Sequence, residues 1–415
     1  MAADIISSPA QDVWPVGQHL VYTIDDDGGT PPDRFVVIVR RSTNPTTVGA
    51  EKAKLYLVPN ASDVVHFDLS KIARGILEFP LSKDGVAIHS VQDSGKVFNC
   101  DELCLLRFTI EAASYTGTTE SAVEDTKAIY LLNGTEQISS GLLPSFSDYY
   151  PTSDTKKAWL TDLPVNPAPT NRIILEMGDE DEAVAMFVNT NSLGVATTMD
   201  SISVAGFDAS GTLIESQTIS VADATTVTKN NLYALPIGPA AWTHLGLTDA
   251  VVEIHVRLLE LGVANKSRAL VVKNNKPRPC KHEATQVAWI NTRGGWDYLR
   301  FDGRAPLTIS TTGKEYRKNV GTYGEATFTI ASNIQQYDTY GKVGKEAYTL
   351  TEQFFTEAQR DLCQYLMRSP VVQMRRGTGD WEPCIVRTNS LQIQPAGARF
   401  YEVSLDVELA RDIRC

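Results

Sequence analysis

The chain has little of what announces chemistry. Only six cysteines, at 100, 104, 280, 363, 384 and 415, are spread over 415 residues, which excludes a disulfide framework and predicts free thiols. Cys100 and Cys104 form a C-x-x-x-C pair without a second pair or nearby histidine to complete four zinc ligands. The six histidines, at 19, 66, 89, 244, 255 and 282, are isolated from one another, and no H-E-x-x-H, G-x-S-x-G, phosphate-loop or dinucleotide fingerprint occurs. Basic excess is also missing. A net charge of −12 excludes a surface that displaces counterions from DNA, so no sequence-specific nucleic-acid partner is expected. No apolar run reaches the length of a membrane span, and Met1 to Ser8 lack the basic and apolar regions of a secretory signal. The expectation is therefore no cofactor, no metal, no catalytic residues, no membrane insertion and synthesis in a cytoplasm.

Short apolar runs broken by turn clusters are plentiful, and they predict a mainly β chain of several antiparallel β-sandwich or barrel-like domains in tandem. Residues 1–165 read as an antiparallel β domain. Leu20 to Ile24 and Phe35 to Val39 flank Asp25-Asp26-Asp27-Gly28-Gly29, a turn without calcium-loop spacing, and Asp68 or Ser70 caps a short helical turn. His66 and Asp68, two apart, share a strand face in this reading, as structural neighbours rather than a catalytic pair. Pro164, Pro167 and Pro169 predict a linker. Residues 166–276 follow as an immunoglobulin- or fibronectin-like sandwich with regular strand spacing, and Ile173 to Lys273 is expected to fold alone. The acidic run Gly178 to Glu182 is a solvated turn in this scheme.

Residues 277–415 read as a C-terminal β domain with one clear helix. Its central hairpin spans Val287 to Phe301, with turn residues Asn291 to Gly295 placing Trp289 and Trp296 on adjacent strands. Trp289, Trp296, Phe301 and Leu362 are the expected core anchors. The helix is predicted from about Leu350 to Arg368, with Thr349 and Glu352 at capping-box spacing and Ser369-Pro370 stopping it. The last strand alternates Tyr401, Val403, Leu405, Val407 and Leu409 with Glu402, Ser404, Asp406 and Glu408. Glu402, Asp406 and Glu408, with Arg375 and Arg376 (and nearby Arg387 and Arg399), are the candidate intersubunit contacts.

The stretch W-I-N-T-R-G-G-W-D-Y-L-R-F, preceded by Cys280 and followed by L-C-Q-Y-L-M-R-S-P-V-V from Leu362, resembles a set of tailed-bacteriophage structural proteins. In these a "W-x-N-x-x-G-G-W/F-D" hairpin precedes a helix ending in "L-x-x-S-P-x-V"; a looser echo lies in Leu57 to Ile72. The resemblance covers about the last third of the chain. It implies a virion component forming a ring or collar in the tail or baseplate, with other copies of itself and other tail or connector proteins as partners. The alternative is a carbohydrate-binding adhesion module at the tail tip that uses Tyr149, Tyr150, Tyr337 and Tyr340. A glycan hydrolase with a dispersed carboxylate pair ranks third.

Overall fold

The structure, a computed structural model, describes residues 3–8, 13–17, 19–26, 32–42, 49–83, 86–90, 97–100, 103–134, 146–166, 171–189, 199–221, 231–260, 262–275, 282–317, 322–329, 337–354, 357–388, 401–411 and 413–414. It is mainly β, built of several sheets that are mostly antiparallel, with two α-helices among the described residues. No helix among them is long and apolar enough to cross a membrane. The chain divides into two compact units. Unit 1 comprises residues 1–279, 288–299 and 361–370; unit 2 comprises 280–287, 300–360 and 371–415.

Unit 1 opens with β1 (Ala3–Ser7), β2 (Val13–Pro15), β3 (Val21–Asp26), β4 (Arg34–Ser42), β5 (Ala50–Leu57), β6 (Val65–Asp68) and helix α1 (Ser70–Arg74). Then come β7 (Phe98–Asn99), β8 (Leu105–Thr116) and β9 (Asp125–Leu132). One sheet runs β1-β3-β6 and a second β2-β9-β8-β4-β5. Alternating apolar residues of both, among them Trp14, Tyr22, Phe35, Phe67 and Phe108, form one core. The Asp68 carboxylate accepts the Ser70 and Leu20 N–H groups and meets His19 Nδ1 at 2.9 Å. Burial opposes its ionisation, but these hydrogen bonds outweigh that and hold it well below the usual carboxylate range. His66 turns instead to the Thr23 hydroxyl.

The middle strands are β10 (Ile173–Met177), β11 (Val184–Val188), β12 (Met199–Phe207), β13 (Leu213–Ser220), β14 (Leu232–Pro236), β15 (Glu253–Glu260) and β16 (Leu270–Asn274). They form sheets ordered β10-β16-β15-β12-β13 and β11-β14-β7. The second takes its last strand from the first hundred residues: β7 pairs with β14 through Asn99 and Phe98. Leu160 N–H also bonds Met186 O, and the Trp159 and Phe187 rings meet edge to face at 5.7 Å. The expected break at 165 is therefore not a boundary between compact units, and the sandwich is completed by segments outside Ile173 to Lys273. Leu163 is buried and Val165 bridges Ile173, while residues 167–170 lie outside the described residues.

The remaining elements are β17 (Thr285–Ile290), β18 (Trp296–Phe301), β19 (Leu307–Arg317), β20 (Tyr337–Phe354), α2 (Glu357–Arg368), β21 (Val372–Arg376), β22 (Glu382–Val386), β23 (Tyr401–Leu409) and β24 (Ile413–Arg414). Unit 2 is organised on the order β21-β22-β23-β20-β19, with β24 on β20. The helix expected from Leu350 begins only at Glu357. Residues 350–354 continue β20, which pairs with β23 from Ala347–Glu408 to Phe354–Tyr401. The supposed cap residues serve this sheet: the Thr349 hydroxyl bonds Asp406 and Glu352 accepts the Asp302 N–H. Pairing overrides the helical spacing there because every backbone group of a central strand finds a partner.

Candidate functional site

The tip of the β17–β18 hairpin is buried, although connecting segments ordinarily run over the surface. Every residue from Asn291 to Leu299 is buried, so each polar atom there needs a partner inside the protein. Asn291 supplies three. Its side-chain oxygen accepts the Arg293 and Gly295 N–H groups at 2.9 and 3.0 Å, and its amide donates to Leu160 O at 2.9 Å. Gly294 adopts φ +81°, where a side chain is strained. Gly295 is required by proximity: a Cβ there would lie far inside contact distance of the Leu160 carbonyl oxygen.

A cluster of charges sits beneath this tip. Thr292 donates from its N–H and hydroxyl to the two oxygens of Asp162, at 2.9 and 2.5 Å. Asp162 N–H and the Thr161 hydroxyl donate to the two oxygens of Asp297, the first at 2.8 Å. Burial, followed by the Asp162 charge, pushes the Asp297 carboxyl up to about 7, against the lowering pull of those hydrogen bonds and of Lys157. Lys157 is half-buried and its ammonium donates to Thr161 O at 2.5 Å; desolvation brings it down to about 8. The Arg293 guanidinium lies 4.9 Å from the centre of the Tyr149 ring, and its Nε and Nη1 have no hydrogen-bond partner. Burial pushes the Tyr149 phenol up to about 12.

The hairpin strands add a second network. Tyr298 hydroxyl accepts Val184 N–H at 2.9 Å and meets His89 Nδ1 at 2.8 Å. The His89 ring stands edge-on to Trp296, whose indole donates to Pro80 O at 2.9 Å. An adjoining cavity with about 20 Å³ of room for water centres is walled mainly by apolar side chains such as Trp159, Met186 and Leu270, with Thr161 and Asp297 at its polar side. That space suits a single water rather than a substrate. The arrangement holds two carboxylates beside two cations with their oxygens already engaged, which is chemistry for locking a turn in place.

Trp289, Trp296, Phe301 and Leu362 are all buried. Residues 288–299 and 361–370 belong to unit 1, however, so the hairpin tip and most of α2 are not part of the C-terminal unit to which the sequence assigned them. Among the candidate intersubunit charges, Glu408 pairs within the chain with Lys345 at 2.7 Å and Arg387 at 2.9 Å. The Asp406 carboxylate accepts the Thr349 hydroxyl, and the Asp406 N–H donates to the Thr388 hydroxyl. Arg375 is buried and donates to Gly379 O, and Arg376 pairs with Glu283 and overlies Tyr348. These charges have intramolecular roles. The Glu402 side chain, Arg399, Cys280 and Cys415 lie outside the described residues. Tyr149 and Tyr150 are buried and cannot form an aromatic binding platform; Tyr337 is exposed, and the Tyr340 side chain lies outside the described residues.

The acidic turn of residues 178–182 is likewise occupied, since Asp181 accepts Gly178 N–H and Glu182 accepts from Ser90. Among the described residues no group of three or more His, Cys, Asp or Glu is placed to hold a metal ion. Thr161, Asp162 and Arg293 escaped the sequence reading because their partners are remote. Thr161 and Asp297 are 136 residues apart, and no local pattern carries that distance.

No protein-family model matches the chain, and no curated protein matches it. Among solved structures it is similar to trypsin-activated alpha-2-macroglobulin from Escherichia coli, at 8% identity over 85% of this chain and 23% of that one, with a TM-score of 0.21. It is also similar to a marsupial T cell receptor, at 9% identity over 82% and 95% of the two chains, with a TM-score of 0.17. The chain thus spans about a quarter of the macroglobulin's length, and likenesses this low carry no functional argument.

Proposed function

We propose that the protein is an architectural component of a tailed-phage virion, assembled in the host cytoplasm into a ring or collar of the tail or baseplate. The observation that carries this reading is the use made of the W-x-N-x-x-G-G-W-D stretch. Its tip is buried, and Asn291, Thr292 and Asp297 hold residues 160–162, which supports reading the motif behind the resemblance as one that builds the fold. Assembly would proceed through apolar surface and strand edges meeting neighbouring copies and other tail or connector proteins. The adhesion alternative is weakened by the burial of Tyr149 and Tyr150. The test is to locate the chain in purified particles by mass spectrometry and symmetry-resolved imaging. Recovery in stoichiometric, symmetric copies in the tail supports the reading; complete absence from particles of a phage that makes it overturns it.

A further inference from the structure

The buried hairpin tip, Asn291-Thr292-Arg293-Gly294-Gly295, has no apolar side chain of its own to hold it. Its flanks differ: Ile290 and Trp296 are buried, and the Trp296 indole is tied to Pro80 O, so the strands are anchored on both sides of a polar turn. Three kinds of contact dock the tip. The Asn291 amide donates to Leu160 O, the Thr292 N–H and hydroxyl donate to Asp162, and the Arg293 guanidinium lies against the Tyr149 ring. The remaining bonds are internal, since the Asn291 side-chain oxygen accepts the Arg293 and Gly295 N–H groups, Asn291 N–H donates to Gly295 O and Gly294 N–H donates to Asn291 O. These travel with the turn. An element with internal bonding and little apolar contact belongs to the part of a fold that opens locally, well below the free energy of global unfolding.

Leaving the docked position also relieves costs. Water replaces the partners of Asn291 and Thr292 in a nearly balanced exchange, whereas Nε and Nη1 of Arg293, buried without a partner, gain hydrogen bonds that they lack. Water also reaches the charges beneath. Burial raises the Asp297 carboxyl to about 7 and lowers the Lys157 ammonium to about 8, so between these values both are charged in a place that disfavours charge. Below pH 7 Asp297 regains its proton and above pH 8 Lys157 sheds one, and either change favours the docked tip. Asp162, Arg293 and Asp148 face the pair, as do the phenols of Tyr149 and Tyr298. Tyr365 of α2 adds a third phenol beside Asp361 and Arg368, while His89 and Glu182 face Tyr298. Burial pushes all three phenols up, away from this window.

We infer that Asn291 to Gly295 form a latch that lifts off residues 160–162 as a unit while the strands on either side stay in place. The latch is lifted most often between pH 7 and 8 and less often on either side. It is a property of the single chain and does not rest on the proposed assembly. The test is hydrogen–deuterium exchange of the full chain at several pH values and low urea concentrations, resolved to single residues by fragmentation, with the intrinsic exchange rate divided out. The Thr292 amide, which donates to Asp162, is expected to exchange at least tenfold faster than the amides of β17 and β18, at a rate nearly independent of urea. Its opening equilibrium should rise about tenfold from pH 5 to pH 7.5 and fall about tenfold again by pH 10. Asp297→Asn should flatten the acid limb alone and Lys157→Met the alkaline limb alone; the wild-type profile decides the matter even if neither variant folds. Thr292 exchanging only by the urea-dependent route of the strands overturns the latch. An opening equilibrium that is flat from pH 5 to pH 10, or that changes in one direction only, overturns it as well.

Discussion

Asp297→Asn removes the charge at the centre of the buried cluster while keeping the side chain's shape. Burial raises the Asp297 carboxyl to about 7, so between its ordinary value near 4 and that point the folded chain holds a proton that the unfolded chain has released. Stability must then fall as pH rises through this window. At about 1.4 kcal/mol per pH unit over about three units, the ceiling is about 4 kcal/mol; Lys157 interacts with the group and shares the effect, so about 2 kcal/mol is expected. The substituted amide can keep both contacts: its oxygen accepts Asp162 N–H, and its nitrogen donates to the Thr161 hydroxyl, which already accepts Leu163 N–H. Urea unfolding followed by tryptophan fluorescence reads mainly unit 1, which holds every tryptophan except Trp381. The free-energy difference between wild type and variant should shift by about 2 kcal/mol against wild type from pH 4.5 to pH 7, and taking the difference cancels the titrations of groups that do not interact with Asp297. Parallel pH profiles would refute the reasoning. Lys157, lowered to about 8, acts in the opposite sense: its cost is relieved as pH rises from 8 toward 10, so the cluster stabilises the fold least near pH 7 to 8.

Trp289→Ala empties a fully buried site and should cost about 3–5 kcal/mol in unit 1, measured by the same urea titration; a loss under about 1 kcal/mol would contradict its burial. Gly295→Ala drives a Cβ into the Leu160 carbonyl and should lower the melting temperature by several degrees or prevent folding, whereas Gly211→Ala, in open space but at φ +79°, should cost about 1 kcal/mol by thermal melting. The excised segment Ile173 to Lys273, without β7 and Trp159, should fail to melt cooperatively by circular dichroism; a sharp transition would show that it needs neither. Cys363 and Cys384, buried and pushed up to about 12, should stay unmodified by a thiol reagent at pH 8 in the folded chain and react once it is unfolded in urea.

Features written in nearest-neighbour chemistry were legible in the sequence. The hairpin was read at Val287 to Phe301 and forms as Thr285–Ile290 and Trp296–Phe301, because two indoles flanking an Asn-to-Gly turn constrain only their own strands. The alternation of Tyr401 to Leu409 likewise marks the final strand. Residues 350–354 were misread because Thr349 and Glu352 have capping-box spacing ahead of the helical recurrence of Phe355, Ala358 and Leu362, while Tyr348, Leu350 and Glu352 alternate, and only the flanking strands decide between the two periods. The proline cluster at 164–169 suggested two cores, but Leu163 and Trp159 fasten the stretch before it into the middle sheets. The charge cluster was invisible: Asp162 and Thr292 are 130 residues apart, and each reads alone as an ordinary turn residue.

The division of the chain has a consequence for its synthesis. Unit 1 is interrupted twice, and its last contribution is residues 361–370. A ribosome that has released the first 279 residues has delivered the larger unit without the buried tip that occupies the space beside Leu160, or the helix whose following Ser369 hydroxyl bonds Ile290 O. At about 5–20 residues per second, the hairpin tip begins to arrive within about two seconds and the helix only several seconds later. Until then the nascent chain presents an open seat lined by Asp162 and the Leu160 carbonyl, and only the hairpin's arrival converts it to the closed form. Completion of unit 1 is thereby tied to translation well past residue 279, so a chain truncated before residue 288 has no route to its finished core.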